Sequence, residues 1–202
     1  MTSTSGRPIP VPAAAFHQDR PVGLFHRLKV DLMGGGRLEV RTLLFLDGGR
    51  ISRVFPYGGA FDPSRCSPDT CGSCAHAPGE IAIRWDDGRV DRWTYARTAE
   101  GFDLDGDSYK PARPVSPADL AGRWAGAGSP GVPGENVYAF GPDGAFTFGA
   151  GAGGVGGRYR LDGLAIVLDF ADGTRSARTL FAAGSGAPVG LICVEGDAYR
   201  RQ

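Results

Sequence analysis

Apolar and polar residues alternate along much of this chain, in short segments that are separated by Asp-Gly and Gly-Gly pairs. Alternation with a period of two gives a strand one apolar face, and Asp-Gly pairs favour the tight turns of β-hairpins. Ile81, Ile83 and Trp85, for example, share one face of a segment that carries Arg84 on the other. The pattern therefore predicts an all-β fold built from consecutive antiparallel hairpins.

The predicted strands are short and fall into two groups. We place them near residues 22–30, 37–46, 50–55, 73–77, 80–86, 89–97, 101–105 and 108–112 in the first half of the chain, and near 121–126, 135–140, 145–149, 157–161, 164–170, 175–182, 189–194 and 197–201 in the second. Each half thus holds about eight strands, a number at which a meander closes into a small barrel and removes its exposed edges.

The same pattern occurs twice, which indicates an internal duplication. Gly72–Gly88 aligns with Gly157–Gly173 without a gap, so that glycines, apolar residues and turn residues coincide. Further along, Gly106–Lys110 resembles Gly196–Arg200. We therefore predict two tandem antiparallel meander units, each a small up-and-down barrel. One larger barrel or sandwich formed by both repeats is the alternative.

The duplication divides the chain into segments. They are a flexible N-terminal tail (1–20), a first β-repeat (21–112) with a Cys-bearing loop (56–74), a Pro-rich linker (113–119) and a second β-repeat (120–202). The prolines of the linker suit a short, semi-rigid spacer between two separate units.

Composition narrows the range of functions. The 202-residue chain carries 22 basic and 22 acidic side chains, so it lacks the net positive charge that attracts nucleic acid or acidic membrane surfaces. Residues 1–20 contain three prolines and no sustained apolar run, unlike a secretion signal or a membrane anchor. We therefore expect a cytoplasmic protein without nucleic-acid or membrane partners, in which cysteines mostly stay reduced.

The segment Leu120–Trp124 resembles the Gly-x-Trp opening of lipocalins and related calycin barrels. The resemblance implies that Trp124 closes one end of a barrel beneath a basic residue from the last strand. Arg200 and Arg201 are the candidates for that residue. A guanidinium above an indole ring contributes about 0.5 to 2 kcal/mol, depending on burial, and would attach the last strand to the first.

The resemblance to these ligand-binding barrels covers mainly residues 120–201, where Phe140–Phe146 and Gly157–Gly163 also look like segments of small bacterial lipocalin-like domains. The first repeat has Phe25 in place of the Trp. A ligand in a barrel mouth would contact aromatic side chains, for which the candidates are Phe25, Trp85, Trp93, Tyr95, Trp124 and Tyr138. The same residues are equally well interpreted as packed core.

Three thiols and an imidazole lie within eleven residues of the first repeat. The spacing of Cys66, Cys71 and Cys74 resembles the plant-type ferredoxin loop, and with His76 it also offers soft ligands suited to zinc. A two-iron cluster needs a fourth thiolate, for which Cys193 is the only candidate. A zinc or iron–sulfur site, a Cys66–Cys71 disulfide and ordinary free thiols all stay open as interpretations.

Other motifs do not fit their sequence context. Gly151–Gly156 matches the G-x-G-x-x-G pattern, but a predicted strand follows it where dinucleotide binding needs a helix. Asp103–Asp107 resembles the start of a calcium loop, but Pro114 stands where the bidentate carboxylate is required. No Ser lies in a G-x-S-x-G elbow, so we identify no catalytic residues.

These observations favour a non-enzymatic, lipocalin-like protein that binds a small apolar molecule or a protein partner and needs no cofactor. Two alternatives belong to other classes. One is a metal or iron–sulfur module based on the 66–76 loop, and the other is a barrel cyclase or isomerase that acts by confining its substrate.

Overall fold

The computed structural model describes residues 7–31, 37–126, 137–149, 154–184 and 188–202. The fold is all-β, as predicted. Parts of three sequence predictions lie outside the described residues: 1–6 of the tail, 135–136 of a strand and 151–153 of the glycine-rich segment. In the described ranges, no helix combines the length and apolar character that crossing a membrane requires.

The strands follow one another with few other elements between them. They are β1 (Ile9–Pro10), β2 (Ala15–His17), β3 (Arg20–Asp31), β4 (Arg37–Leu46), β5 (Arg50–Ser52), β6 (Ala60–Phe61), β7 (Cys71–Ala77), β8 (Glu80–Trp85), β9 (Val90–Arg97), β10 (Phe102–Leu104), β11 (Asp107–Pro111), β12 (Gly122–Gly126), β13 (Val137–Phe140), β14 (Ala145–Phe148), β15 (Val155–Asp162), β16 (Ala165–Phe170), β17 (Arg175–Ala182), β18 (Leu191–Val194) and β19 (Asp197–Arg201). Helix α1 spans Pro117–Leu120, and short 3₁₀ turns span Asp47–Gly49 and Pro63–Arg65.

The chain divides into two compact units. The first comprises Met1–Arg27, Arg41–Pro56 and Ala60–Ala112, and the second comprises Leu28–Val40, Tyr57–Gly59 and Arg113–Gln202. In the second unit, β12 to β19 pair antiparallel in chain order, and β19 pairs back with β12. These eight strands form a closed barrel, so the predicted meander and its closure are confirmed there.

In the first unit the antiparallel pairings run from β4 through β5, β7, β8, β9 and β10 to β11. β11 then pairs with β3, which lies next to β4 in the sheet order. Strands β1, β2 and β6 lie outside this succession, with β1 paired to β6 and β2 to β3. The first unit is therefore also a meander whose last strand returns to its first.

The aligned hairpins β7–β8 and β15–β16 have the same register. Gly72 is paired with Trp85 in one hairpin, and Gly157 with Phe170, its aligned counterpart, in the other. A Cβ atom at either glycine would clash with a carbonyl oxygen of the neighbouring strand, that of Arg84 or of Asp169. The repeated glycine thus allows close approach of two backbones in both hairpins.

A second repeated turn joins β10 to β11 and β18 to β19. Asp105 and Glu195 have φ of 48° and 52°, and Gly106 and Gly196 follow with φ of 81° and 93°. Two successive residues in the left-handed region are typical of type I′ hairpin turns. The carboxylate of Asp105 also accepts hydrogen bonds from the backbone amide and the hydroxyl of Thr94. Asp105 thus belongs to a hairpin turn, in the segment that the sequence analysis rejected as a calcium loop.

The segment expected as an N-terminal tail contributes to the first unit. β2 folds back on β3 through Gln18 and Asp19, which have φ of 51° and 64°. Phe16 packs its ring edge-on against Phe25 and Phe102, at centroid distances of 5.2 and 6.4 Å. The apolar area of Phe16 explains why this part of the tail is folded onto the unit.

The segment expected as a linker is likewise tied to the second unit. Arg113 forms a backbone bridge with Ala182, and Ser116 caps α1 by accepting a hydrogen bond from the Asp119 amide. Val115 and Leu120 are buried in the core of that unit. This proline-containing segment is therefore packed on the second unit, immediately before β12, and is not a free spacer.

Trp124 and Arg201 are in contact in the second unit. The guanidinium carbon of Arg201 lies 4.6 Å from the centre of the indole ring, and the indole Nε1 donates to the Leu120 carbonyl oxygen over 2.7 Å. Arg201 also donates to the carbonyl oxygens of Asp119, Ala121 and Val189. The prediction that a last-strand arginine covers Trp124 is confirmed, with Arg201 as the residue.

We predict that Gly157→Ala and Gly72→Ala each destabilise the protein by about 1 to 3 kcal/mol, because the added methyl group forces two strands apart. Urea unfolding of the two variants measures this cost. Gly190→Ala is the matched control, since a Cβ there meets no atom within 4 Å. Equal stability of Gly157→Ala and Gly190→Ala would contradict the close-approach explanation.

Arg201→Met should lower the free energy of unfolding by about 1 to 3 kcal/mol, because it removes the contact with the indole ring and the hydrogen bonds to three carbonyl groups. Arg200→Met is the control, because Arg200 is adjacent in sequence and exposed. Thermal unfolding of both variants checks the prediction, and a similar loss in each would contradict it.

Candidate functional site

Four of the six aromatic residues that the sequence nominates as ligand contacts are core residues. Phe25 and Trp85 are fully buried in the aromatic cluster of the first unit, and Trp124 and Tyr138 in that of the second. Trp93 and Tyr95 are partly buried and pack against the first cluster. Only Tyr95 lines one of the two cavities described below, so packing accounts for the positions of the others.

The cysteine-rich segment is split between two faces of β7. Cys66 and Cys71 form a disulfide, and Ser52 Oγ lies 3.2 Å from the Cys71 sulfur. Of the interpretations that the sequence left open for these cysteines, the structure contains the Cys66–Cys71 disulfide. The two bonded sulfurs cannot act as thiolate ligands. Cys74 is half-buried on the other face, and Cys193 is completely buried in the second unit.

The four predicted metal ligands are thus not brought together. In the described ranges, no group of three or more His, Cys, Asp or Glu side chains has an arrangement that would hold a metal ion. Cys74 and His76 are the two members of the set that do meet, with 3.9 Å between Sγ and Nε2. They lie two residues apart on one strand, so the alternation of β7 places both side chains on the same face.

Cys74 and His76 line a cavity of about 500 Å³ in the first unit, which we call the Arg20 pocket. The β2–β3 hairpin, the end of β4 with the turn after it, and β7 supply its walls. Its apolar lining includes Val22, Phe45 and Leu46. Its polar lining includes His17, Arg20, Asp47, Cys74 and His76.

A second cavity of about 420 Å³ lies on the other side of Arg20 and His76, and both residues line it too. Tyr95 and Arg97 also line this cavity, as do the residues of two turns, Gln18–Asp19 and Pro78–Gly79. The Tyr95 hydroxyl donates to the Asp19 carbonyl oxygen over 2.6 Å, which fixes the β2–β3 turn against β9. Arg20 and His76 thus lie between two cavities at one end of the first unit.

The charge of Arg20 is not neutralised locally. Within the described part of the chain, the arginine forms no ion pair, although other basic side chains of the same unit, such as Arg50 and Arg92, do. Asp47 and Asp19 are the acidic residues that line the two cavities, and neither forms an ion pair with Arg20 in the described residues. The first unit therefore presents an exposed guanidinium beside walls that are partly apolar and partly polar.

Burial keeps the thiol and the imidazole of the Arg20 pocket in their neutral forms. Desolvation raises the pKa of Cys74 to about 11, and the attraction of Arg20 for the thiolate only partly offsets it. Desolvation and repulsion by Arg20 lower the pKa of His76. The imidazole also lies between aromatic rings, 6.4 Å from Phe45 and 5.8 Å from Tyr95 between centroids. Near pH 7 the pair is a thiol beside a neutral imidazole.

Sequence reasoning missed Arg20, Phe45 and the turn at Asp47–Gly49 as parts of this site. One signal was present in the alternation of β7, since Cys74 and His76 are two residues apart and therefore share a face. The β2–β3 hairpin had no such signal, because Gln18 and Asp19 are unusual in a turn with positive φ.

The glycine-rich segment Gly151–Gly156 is only partly described. Strand β15 begins at Val155, where a dinucleotide site would need the first turn of a helix. The rejection of this motif as a nucleotide site is therefore consistent with the structure.

Comparison of the chain with models of protein families, with curated proteins and with solved structures finds no match.

We predict that iodoacetamide alkylates Cys74 in the native protein and leaves Cys193 unmodified, because only Cys74 lines a cavity while Cys193 is buried. The thiolate is the reacting form, so between about pH 7 and pH 9 the rate at Cys74 should rise about tenfold per pH unit. Peptide mapping by mass spectrometry gives both rates. Labelling in denaturant, where both thiols react, is the control, and a rate that levels off near pH 8 would contradict the raised pKa.

Proposed function

We propose that the protein binds a small organic anion with an apolar body in the Arg20 pocket. The observation that carries this proposal is a guanidinium without an ion pair in the described residues, at the edge of a cavity whose walls include Val22, Phe45 and Leu46. Cavities of about 300 to 1,000 Å³ with mainly apolar walls and a few polar groups are typical of small-molecule sites. The Arg20 pocket has a volume of about 500 Å³, within this range, and polar groups form the larger share of its lining.

The ligand class follows from the distribution of charge. A guanidinium has a planar fork of donors that matches a carboxylate, so one oxyanion of the ligand is best placed at Arg20. The apolar body then contacts Phe45 and Val22, and burial of its surface contributes about 25 cal/mol for each Å² removed from water. Neutral His76 offers one further hydrogen bond.

We also propose that the chain consists of two copies of a lipocalin-like β-unit, of which the first has acquired the binding pocket. Three features support this. The hairpins β7–β8 and β15–β16 have the same register, and the turns after β10 and β18 have the same backbone conformation. In addition, β11 and β19 each pair with the first strand of their own unit. The Gly122–Trp124 opening with its Arg201 partner supports the lipocalin-like character of the second copy.

Two residues explain why the pocket belongs to the first copy. Cys74 and His76 align with Tyr159 and Leu161 of the second copy. Tyr159 is buried in the second core and donates from its hydroxyl to the Gly141 carbonyl oxygen, and Leu161 packs against the same core. Smaller or more polar side chains at these two inward positions leave space where the second copy is filled.

3-Benzoylpropionate, which joins a carboxylate to a phenyl ketone, is a suitable probe. We expect Arg20→Gln to weaken its binding about tenfold, since a partly buried charged hydrogen bond contributes about 1.4 kcal/mol or more. Isothermal titration calorimetry measures the dissociation constants. The matched control is Arg84→Gln, which removes an exposed arginine on β8 of the same unit and should leave binding unchanged.

The uncharged amide of the probe tests the role of its carboxylate. It should bind the unmodified protein and Arg20→Gln with similar, weak affinity. Equal binding of 3-benzoylpropionate to the unmodified protein and to Arg20→Gln would refute the anion site, and absence of binding at millimolar concentration would refute the function.

A further inference from the structure

The Arg20 pocket contains a nucleophile, a base and a cation in one place. Cys74 and His76 lie on the same face of β7 with 3.9 Å between Sγ and Nε2, and both line the cavity. The charge of Arg20 acts on both groups, favouring the thiolate of Cys74 and opposing the protonation of His76. No role in simple ligand binding requires this combination.

Cys74 also differs from the other three cysteines in access. Cys66 and Cys71 are joined in the disulfide, and Cys193 has no exposed surface. Cys74 is half-buried and faces the cavity. A reagent that enters the Arg20 pocket therefore meets one thiol.

The protonation states define which reaction is feasible. A neutral thiol is a poor nucleophile and needs a base that removes its proton as the sulfur attacks. His76 is placed to do so, because its lowered pKa leaves Nε2 or Nδ1 free of a proton near pH 7. A thiol and a base of this kind suit addition to an electron-poor alkene, which needs no leaving group and no oxidant.

We propose that the Arg20 pocket captures α,β-unsaturated organic anions covalently, with Cys74 as nucleophile, His76 as proton carrier and Arg20 as the partner of the carboxylate. This inference rests on the proposed function, since the anion must first bind at Arg20. The ligand class is thereby narrowed from organic anions in general to those with an alkene conjugated to a carbonyl group.

The atoms and electrons of the addition balance within the pocket. Cys74 Sγ forms a bond to the alkene carbon β to the carbonyl group, while the S–H bond breaks and His76 takes the proton. The π electron pair of the alkene moves to the α carbon. That carbon then takes the proton from His76, so the product is a thioether and the imidazole returns to its neutral form.

3-Benzoylacrylate is the reactive counterpart of 3-benzoylpropionate, from which it differs by one double bond. We expect intact-mass spectrometry of the protein to record an increase equal to the whole mass of the probe, and peptide mapping to place it on Cys74. Cys193 serves as the internal control thiol and should stay unmodified. The primary amide of the probe should react more slowly, by about tenfold, because Arg20 does not attract it.

Four variants separate the roles of the residues. Cys74→Ser should abolish the adduct but retain 3-benzoylpropionate binding, and His76→Gln should slow addition by about a hundredfold, far more than it weakens that binding through loss of one hydrogen bond. Arg20→Gln should slow reaction with the acid about tenfold more than it slows reaction with the amide, because only the acid loses its partner for the carboxylate. Arg84→Gln should react like the unmodified protein.

The outcomes distinguish the two proposals. If 3-benzoylpropionate binds but 3-benzoylacrylate forms no adduct at Cys74, covalent capture is refuted and the binding function stands. Equal rates for the acid and the amide would show that Arg20 does not bind the carboxylate during the reaction. An unchanged rate in His76→Gln would show that His76 does not act as the base. If neither probe binds, both proposals are overturned.

Discussion

The pairing of the last strand of each meander with the first is the constraint on which the structure depends. An open meander would leave a row of amide and carbonyl groups at each edge, and a closed one satisfies them internally. β19 meets β12 at Trp124 and Ala125, where Arg201 adds bonds to three carbonyl groups. β11 meets β3 at Phe25 and His26. Closure fixes the interior volume, and the inward side chains then fill it.

The Arg20 pocket lies beside a packed core in the first unit. The core of the first unit contains aromatic rings in edge-on or tilted contact, including those of Phe25, Phe45 and Phe102, together with aliphatic side chains. The Arg20 pocket lies where strand β2, which is outside the ring of paired strands, folds back on β3. Phe16 anchors this hairpin on the core, so the segment before the first barrel strand builds one wall of the pocket.

The parts of the fold that sequence could predict are those governed by local rules. Asp-Gly turns, alternation and the repeated glycine identify β7–β8 and β15–β16, and the Gly-x-Trp opening identifies the contact of Trp124 with a last-strand arginine. The site depends instead on tertiary contacts. The Gln18–Asp19 turn has an unfavourable backbone conformation, which is stabilised by the Tyr95 hydroxyl some 76 residues away in the chain. The position of Arg20 follows from that turn and has no local sequence signal.

Comparison of the aligned hairpins β7–β8 and β15–β16 indicates how the Arg20 pocket obtains its space. At the position aligned with Cys74, β15 has Tyr159, whose ring lies edge-on to Phe140 at 5.2 Å and whose hydroxyl donates to the Gly141 carbonyl oxygen. A thiol at this position removes the ring without adding an unsatisfied polar group, because sulfur tolerates apolar surroundings. His76, in place of Leu161, then has its imidazole between Phe45 and Tyr95 and within reach of that sulfur. The two hairpins share their register, so the side chains at these two aligned positions account for both the space and the polar groups of the pocket.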